Sequence, residues 1–233
     1  MSGASTSGDH DGGSRLRILD AAEELMAERG FRGVSLRQIA RAASVNLGSV
    51  TYYFRTKENL LGQIYARHTR PMNQRRIELL AEAERISDRD ERLSAIVRAF
   101  VVPAFCSSAD SAGGGERFTR LRGMLSMEGN QTAGRIIAAA FDDTTRAFIR
   151  AIGDCLPEAG EAHIAWRCQF LLGALYYTLV TGERINRLTD DRVDGRDRAA
   201  AIDHLVDATT ASLAGRPSSA RAGARPGKRL TAA

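Results

Sequence analysis

The sequence predicts an all-α protein, built from an N-terminal three-helix domain of the helix-turn-helix type and a larger helical domain. Almost every periodic segment repeats its apolar residues at the i, i+3, i+4, i+7 spacing of a helix face. No segment alternates apolar and polar residues as a half-buried strand does, and no Asn-Gly pair marks a hairpin. A chain of 233 residues, of which 43% are hydrophobic, is long enough for one large helical domain or two smaller ones.

Composition and charge divide the chain into four parts. We expect a disordered leader at residues 1–13, the helix-turn-helix domain at 14–57, the larger helical domain at 58–214 and a disordered basic tail at 215–233. Residues 14–57 carry eight Lys or Arg against four Asp or Glu, and the tail carries five basic residues and no acidic one. Positive charge at these two places would attract nucleic-acid phosphates, although a basic tail can also be a merely solvated end.

The sequence indicates a cytoplasmic protein without a metal or a cofactor. No apolar run approaches the ~18 residues of a membrane helix. Residues 1–13 are small and polar, and they lack the basic and apolar regions of a secretory signal. Three cysteines without CxxC spacing and four dispersed histidines form no zinc motif. We therefore expect free thiols, no metal site and no membrane association.

Capping signals place the helices of the N-terminal domain. A first helix is expected over about 14–29. Ser35 and Gln38 have the spacing of a capping box at the start of a second helix. Asn46 is a suitable N-cap for a third helix, and Thr56 is one for a fourth.

The rest of the chain also has helical periodicity. Further helices are expected near 88–105, 116–128, 131–155, 160–181 and 196–214, with a flexible glycine-rich loop at 107–115 and a charged connection at 183–195. Pro71 is expected to kink or break the fourth helix, because proline has no N–H to donate.

The segment from Ser35 to Phe54 has the pattern of a DNA-reading helix-turn-helix. In its second helix, Val50 and Phe54 are spaced i, i+4 and predict the buried side. Gly48 and Tyr52 fall on the opposite side, which we expect to be open. Hydroxyl groups and aromatic rings suit phosphates, base edges and thymine methyl groups. Taken alone, the pattern would also fit a plain core helix with half-buried tyrosines.

Residues 15–64 resemble the N-terminal domain of the TetR family of transcriptional regulators. The resemblance rests on ILDAA at 18–22, GF at 30–31, LRQIA at 36–40, ASVN at 43–46, VTYYF at 50–54 and KENLL at 57–61. It implies a set of DNA-facing residues, which are Arg37, Leu47, Gly48, Ser49, Thr51, Tyr52, Tyr53 and Lys57. Lys57 is also expected to help bind a phosphate at the start of the fourth helix. Ser44 stands where the family turn often has glycine, and Tyr53 where histidine is common.

The resemblance also implies what the larger domain does. It implies a small-molecule effector and a homodimer formed through the helices at 160–181 and 196–214, bound to a palindromic operator in double-stranded DNA. The simplest mode of regulation is a repressor that an apolar or amphipathic ligand releases from its operator, although activation of transcription fits the resemblance equally well. The stretch from Trp166 to Tyr177 is similar to a subgroup that senses fatty-acid-like effectors.

A ligand pocket in the larger domain would be mainly apolar. Candidate lining residues are Phe100, Phe118, Leu121, Met124, Leu125, Phe141, Trp166 and Phe170. Each of them could instead belong to the core. Arg120 and Arg122 could anchor an anionic ligand or lie at the surface.

Two other classes of protein remain open. A non-specific or architectural DNA-binding protein would show strong salt dependence and little sequence preference, and the large, nearly neutral helical body disfavours it. A helical enzyme is disfavoured because the chain has no nucleophile motif and no metal motif. Asp142 and Asp143 are adjacent on a helix and therefore point in different directions. We expect no enzyme activity.

Overall fold

The computed structural model describes residues 7–105 and 115–215, and within these ranges it contains ten helices and no strand. The helices are α1 Ser7–Arg29, α2 Leu36–Ala42, α3 Leu47–Phe54, α4 Lys57–Ala83, α5 Arg89–Phe105, α6 Glu116–Met127, α7 Gln131–Cys155, α8 Glu161–Thr181, α9 Glu183–Leu188 and α10 Arg198–Ala214. The predicted all-α fold is confirmed.

Local capping places α2, α3 and α4 where the sequence predicts them. Ser35 and Gln38 form the capping box: the Ser35 Oγ accepts from the Gln38 N–H at 3.3 Å, and the Gln38 Oε1 accepts from the Ser35 N–H at 2.8 Å. The Asn46 Oδ1 accepts from the Ser49 N–H at 2.7 Å and starts α3. The Thr56 Oγ1 accepts from the Asn59 N–H at 3.1 Å and starts α4. Each cap satisfies a backbone N–H that has no partner inside its helix.

Three boundaries differ from the expectation. Helix α1 begins at Ser7, so residues 7–13 of the predicted disordered leader are helical; extending an existing helix costs far less than nucleating one. Helix α9 lies inside the predicted connection at 183–195. Helix α4 passes through Pro71 without ending there, because Met72, Arg76 and Leu80 bury one face of the helix beyond the proline. The loop predicted at 107–115, apart from Gly115, and the tail beyond Gly215 lie outside the described residues.

Helix α4 joins the N-terminal helices to the rest of the molecule. Its 27 residues correspond to a length of about 40 Å at 1.5 Å per residue. Leu60 and Leu61 in its first turns are fully buried, and its later turns pack on α5 and α7. Helix α6 packs against α1, and α10 packs against both α5 and α8. One continuous apolar core therefore runs from α1 to α10. The small and the large domain are joined by packed side chains.

Candidate nucleic-acid interface

Helix α3 is held in the protein by its inner side. Val50 and Phe54 are both 0% exposed, as their i, i+4 spacing predicts. The guanidinium of Arg15, on α1, lies 5.7 Å from the centre of the Phe54 ring. Burying these two side chains fixes the rotation of α3 about its axis and thereby decides which residues face outward.

The opposite side of α3 is open. Tyr52 is 77% exposed, and Leu47, Gly48 and Thr51 are exposed as well. The Tyr52 ring packs edge-on against Tyr53, with the ring centres 5.2 Å apart. Tyr53 is half-buried, and so is Ser49, whose hydroxyl donates to the Asn46 Oδ1 at 3.1 Å. The outer side therefore presents one large aromatic side chain beside a glycine that lets another surface approach the backbone closely.

The turn between α2 and α3 contains a strained residue. Ser44 has a φ of 53°, in the left-handed region that favours glycine. Its N–H donates to the Arg41 carbonyl at 3.2 Å, and the Val45 N–H donates to the Ala40 carbonyl at 3.0 Å. These bonds hold the tight turn that the motif needs even though serine replaces the usual glycine.

Three exposed arginines lie on the elements next to α3 in the chain. Arg37 is exposed on α2, as predicted. Arg41 and Arg55 are also exposed, on the last turn of α2 and just after α3. Neither of these two was predicted from the sequence as a DNA contact, although the basic balance of residues 14–57 was a signal for them.

Lys57 is directed differently from the expectation. Its Nζ donates to the carbonyls of Phe31 and Val34, at 2.8 Å each, and lies 4.3 Å from the centre of the Phe31 ring. The side chain thus ties the start of α4 to the loop after α1. In this conformation the two backbone carbonyls accept from the ammonium group, and the phosphate-binding role of Lys57 stays a prediction.

The predicted pocket residues fall into two groups. Phe100, Phe118, Leu121, Leu125 and Phe141 are buried in the large domain, and Met124 is half-buried. Between α5, α7 and α8, the apolar interior leaves a cavity of only about 20 Å³, with Phe100 and Phe148 in its wall, little more than the space of one water. An open groove of about 590 Å³ lies between α4 and α7 and includes Tyr65 and Asn73 in its wall.

Trp166 and Phe170 do not belong to that interior. They are 62% and 55% exposed and lie on the outer side of α8, with ring centres 5.9 Å apart. Neither ring is part of the apolar interior, so their role as pocket residues stays a prediction. The buried side of α8 is instead formed by a stripe at i, i+4, i+7 and i+11, which comprises Ile164, Cys168, Leu171 and Leu175. Helix α8 is apolar on both sides, so periodicity alone does not choose between them.

A buried ionic cluster joins α1 to α4. The Glu23 carboxylate, 2% exposed, accepts from Arg67 and lies 2.9 Å from the His68 Nε2. Burial by itself would raise the pKa of Glu23, but the His68 hydrogen bond and the nearby charges outweigh it and hold the pKa below its usual value of 4.5. The His68 ring stacks on Phe118 of α6, at 4.5 Å between ring centres. This cluster therefore connects three helices from both parts of the chain.

A second contact joins α1 to α6. Gly30 ends α1 with a φ of 73°, as a C-cap glycine does. The Glu128 side chain lies directly over it, and a Cβ built on Gly30 would come within 1.7 Å of the Glu128 Oε1. Glycine at this position thus permits both the left-handed turn and the close approach of α6.

The remaining chemistry of the described ranges is limited. In residues 7–105 and 115–215, no group of His, Cys, Asp or Glu side chains has an arrangement that would hold a metal ion. Cys155 and Cys168 are buried free thiols, and burial raises the pKa of Cys168 to about 11. Cys106 lies outside the described residues. None of the helices in these ranges combines the length and the apolarity that crossing a membrane requires.

The fold and the exposed α3 define a helix-turn-helix protein with a large helical C-terminal domain. Two family models match the chain. "Bacterial regulatory proteins, tetR family" matches residues 18–64, and "Tetracyclin repressor-like, C-terminal domain" matches residues 98–212. The chain therefore belongs to the TetR family of helix-turn-helix transcriptional regulators. Members of this family are regulators and not enzymes, which sets aside the helical-enzyme alternative.

Individual relatives agree with this assignment. The chain is 37% identical over 76 residues to the HTH-type transcriptional repressor NemR of Escherichia coli, a match that covers 33% of this chain and 37% of NemR. It is 42% identical over 52 residues to the HTH-type transcriptional repressor KstR2 of Rhodococcus jostii, which covers 22% of this chain and 26% of KstR2. The matched stretches thus span well under half of these curated relatives.

Solved structures share the whole fold. The transcriptional regulator FadR of Bacillus subtilis, solved in complex with stearoyl-CoA, superimposes with a TM-score of 0.52 and 17% sequence identity. The superposition covers 84% of this chain and 98% of FadR. At this identity the likeness concerns the fold alone.

Proposed function

We propose that the protein is a homodimeric transcriptional repressor, which binds a palindromic operator through α3 and leaves it when a small apolar or amphipathic ligand binds the large domain. One observation carries the DNA-binding part of the proposal. Tyr52 is 77% exposed, while Val50 and Phe54 on the other side of the same helix are fully buried. An exposed, polar-aromatic helix side beside exposed arginines is what entry into a major groove requires. Such a regulator acts where the DNA is, which places it in the cytoplasm.

The contacts divide by chemistry. Tyr52, Gly48 and Leu47 are proposed to reach base edges and thymine methyl groups in the groove. Hydroxyl groups of Ser49, Thr51 and Tyr53, together with Arg37, Arg41 and Arg55, are proposed to contact mainly the phosphates. The Thr51 hydroxyl donates to the Gly48 carbonyl at 3.0 Å, which leaves it as an acceptor toward DNA. Phosphate contacts set the position of α3, and the groove contacts read the sequence.

The outer side of α8 supports a dimer. Trp166, Phe170, Gly173, Ala174 and Tyr177 are exposed at i, i+4, i+7, i+8 and i+11 and form one stripe. Helix α10 packs beside α8. Two such pairs related by a two-fold axis would form a four-helix contact. An exposed apolar stripe of this length is characteristic of a protein–protein contact.

The contacts of α1 with α4 and α6 support ligand-induced release. A ligand that moves α6 away from α1 or shifts it along α1 would disturb two contacts. These are the stacking of His68 on Phe118 and the contact of the Glu128 side chain with Gly30. Either change moves α1, and with it α3, relative to the two-fold axis. Because the two recognition helices of a dimer must meet half-sites about 34 Å apart, a small shift weakens operator binding.

Selection of bound duplexes from a random pool at physiological salt tests the proposal. The expected product is a palindrome with half-sites about one helical turn apart, bound roughly 10³-fold or more tightly than unrelated DNA. Binding that depends steeply on salt but shows no preferred sequence would support the architectural alternative and contradict the proposal.

The dimer is tested on the protein without DNA. Sedimentation equilibrium should give a dimer for the natural chain and a monomer for Phe170→Glu. Arg150→Glu, on the exposed side of α7, serves as the control and should remain dimeric. A monomeric natural chain, or a Phe170→Glu variant that still dimerises, would show that α8 is not the contact.

A further inference from the structure

Two arginines are buried in the large domain, and no carboxylate of the described residues pairs with either. Arg76 on α4 is 2% exposed and Arg122 on α6 is 5% exposed. Within residues 7–105 and 115–215, neither side chain is in an ion pair. The charged or ionisable groups that act on Arg122 are Arg76 and Tyr65, whereas burial alone acts on Arg76. Buried charges in proteins are almost always paired. Two unpaired cations close together in a core therefore require an explanation.

Their contacts leave N–H groups unused. The Arg76 Nε donates to the Phe100 carbonyl at 2.9 Å, and its guanidinium lies 4.0 Å from the centre of the Phe100 ring, but its Nη2 is buried without an acceptor. The Arg122 guanidinium lies 4.2 Å from the Phe141 ring centre and 4.3 Å from that of Tyr176. Its Nε is buried without an acceptor. Aromatic faces attract the charge, but they do not replace hydrogen-bond acceptors.

A third donor belongs to the same group. The Tyr65 hydroxyl is buried and has no hydrogen-bond partner among residues 7–105 and 115–215. The Tyr65 ring packs edge-on against Phe118 and Phe141, the latter also in contact with Arg122. Burial lowers the pKa of Arg76 to about 9, and burial together with the charge of Arg76 lowers that of Arg122 to about 9. Both side chains are still cationic at neutral pH, so the charge has to be balanced from elsewhere.

We propose that Arg76, Arg122 and the Tyr65 hydroxyl bind the carboxylate of the effector, which is therefore a small organic acid with an apolar body. This inference rests on the proposed function, in which the large domain binds a ligand. The few free donors suit the two oxygens of a carboxylate better than a phosphate, which needs more donors. The apolar body would lie in the open groove between α4 and α7, whose wall includes Tyr65, Ile77 and Ile136.

The open groove between α4 and α7 provides an entry path for a ligand. Its volume of about 590 Å³ lies within the range of ligand sites, and Tyr65 forms part of its wall. The Asn73 Oδ1, in the same wall, is buried without a donor, while its Nδ2 donates to the Ala140 carbonyl at 2.7 Å. A ligand entering past Tyr65 would meet the ring of Phe141 and then Arg122. Because Arg122 and Phe118 are both on α6, occupancy of this site would act on the helix that contacts α1.

Ligand binding is tested on the full chain without DNA, by thermal unfolding and by isothermal titration. The probes are octanoate and benzoate, the matched neutral amides octanamide and benzamide, and inorganic phosphate. We expect one or both acids to raise the melting temperature and to bind about ten-fold or more tightly than the corresponding amide. Equal effects of acid and amide, no effect of either acid, or an effect of phosphate alone would overturn the carboxylate assignment.

Variants of Arg122 separate a ligand site from a structural role. Without ligand, Arg122→Met should melt at a higher temperature than the natural chain, because it removes an unpaired buried charge. It should also lose the response to the acids, while Arg122→Lys should keep the charge and part of the response. Arg117→Met, on the exposed side of α6, should leave both unchanged. An Arg122→Met variant that still distinguishes acid from amide would overturn the proposal.

The two proposals can fail separately. Acid binding is measured without DNA, so a negative result leaves the regulator assignment intact. Duplex selection is done without ligand. If it yields no preferred sequence, the anion site of the large domain is unaffected by that result.

Discussion

The turn residue Ser44 offers a prediction whose sign can be worked out from the backbone. Its φ of 53° places a Cβ in the left-handed region, which costs a non-glycine residue roughly 1–2 kcal/mol. Glycine removes that cost but loses about 0.4–1 kcal/mol through the greater freedom of the unfolded chain. Ser44 is exposed, so few contacts are lost. We expect Ser44→Gly to raise the free energy of unfolding by about 1 kcal/mol.

Urea unfolding followed by circular dichroism measures this change, and two variants serve as controls. Ser44→Ala keeps the Cβ and should leave stability unchanged. Ala42→Gly, in α2, should lower the free energy of unfolding by about 0.5–1 kcal/mol, because glycine is a poor helix former. A Ser44→Gly variant less stable than the natural chain, or an equal gain from Ser44→Ala, would refute the strain argument.

Two further predictions concern the contacts of the N-terminal domain. Lys57→Met leaves the carbonyls of Phe31 and Val34 without their donor and should cost about 2 kcal/mol of unfolding free energy; an unchanged urea midpoint would mean that Lys57 is free to bind phosphate instead. Glu23→Gln should destabilise the protein by about 2 kcal/mol at pH 7 by breaking a buried pair. Because the pKa of Glu23 is lowered, its contribution is complete above pH 4.5 and is lost as the pH falls through the lowered pKa. The natural chain and Glu23→Gln should therefore converge in stability progressively as the pH falls from 4.5 to below the lowered pKa of Glu23, and a difference that does not shrink over that range would contradict the role of the charge.

Local features of the N-terminal domain could be predicted from the sequence. Ser35, Asn46 and Thr56 cap the helices they were expected to cap, because a cap depends on a side chain and the backbone of its next few residues. The buried side of α3 was equally predictable, since Val50 and Phe54 are its two large apolar residues at i, i+4 spacing.

Features that depend on distant parts of the chain were not predictable. Trp166 and Phe170 are exposed because α8 turns its other apolar side to α7 and α10, and the sequence of α8 alone does not choose between two apolar sides. Lys57 faces inward because the loop after α1 brings two carbonyls to it. The burial of Arg76 and Arg122 runs against the usual surface position of arginine, and only the packing of α4, α6 and α8 shows it.

The claim that α3 reads DNA through its open side is tested most directly by the affinity of Tyr52→Ala for the selected duplex. Because Tyr52 is 77% exposed, the substitution should change the free energy of unfolding by less than about 0.5 kcal/mol. It should nevertheless weaken binding to the selected duplex about ten-fold or more, which corresponds to about 1.4 kcal/mol, while binding to unrelated DNA stays the same. Unchanged affinity in a fully folded Tyr52→Ala variant would contradict the account.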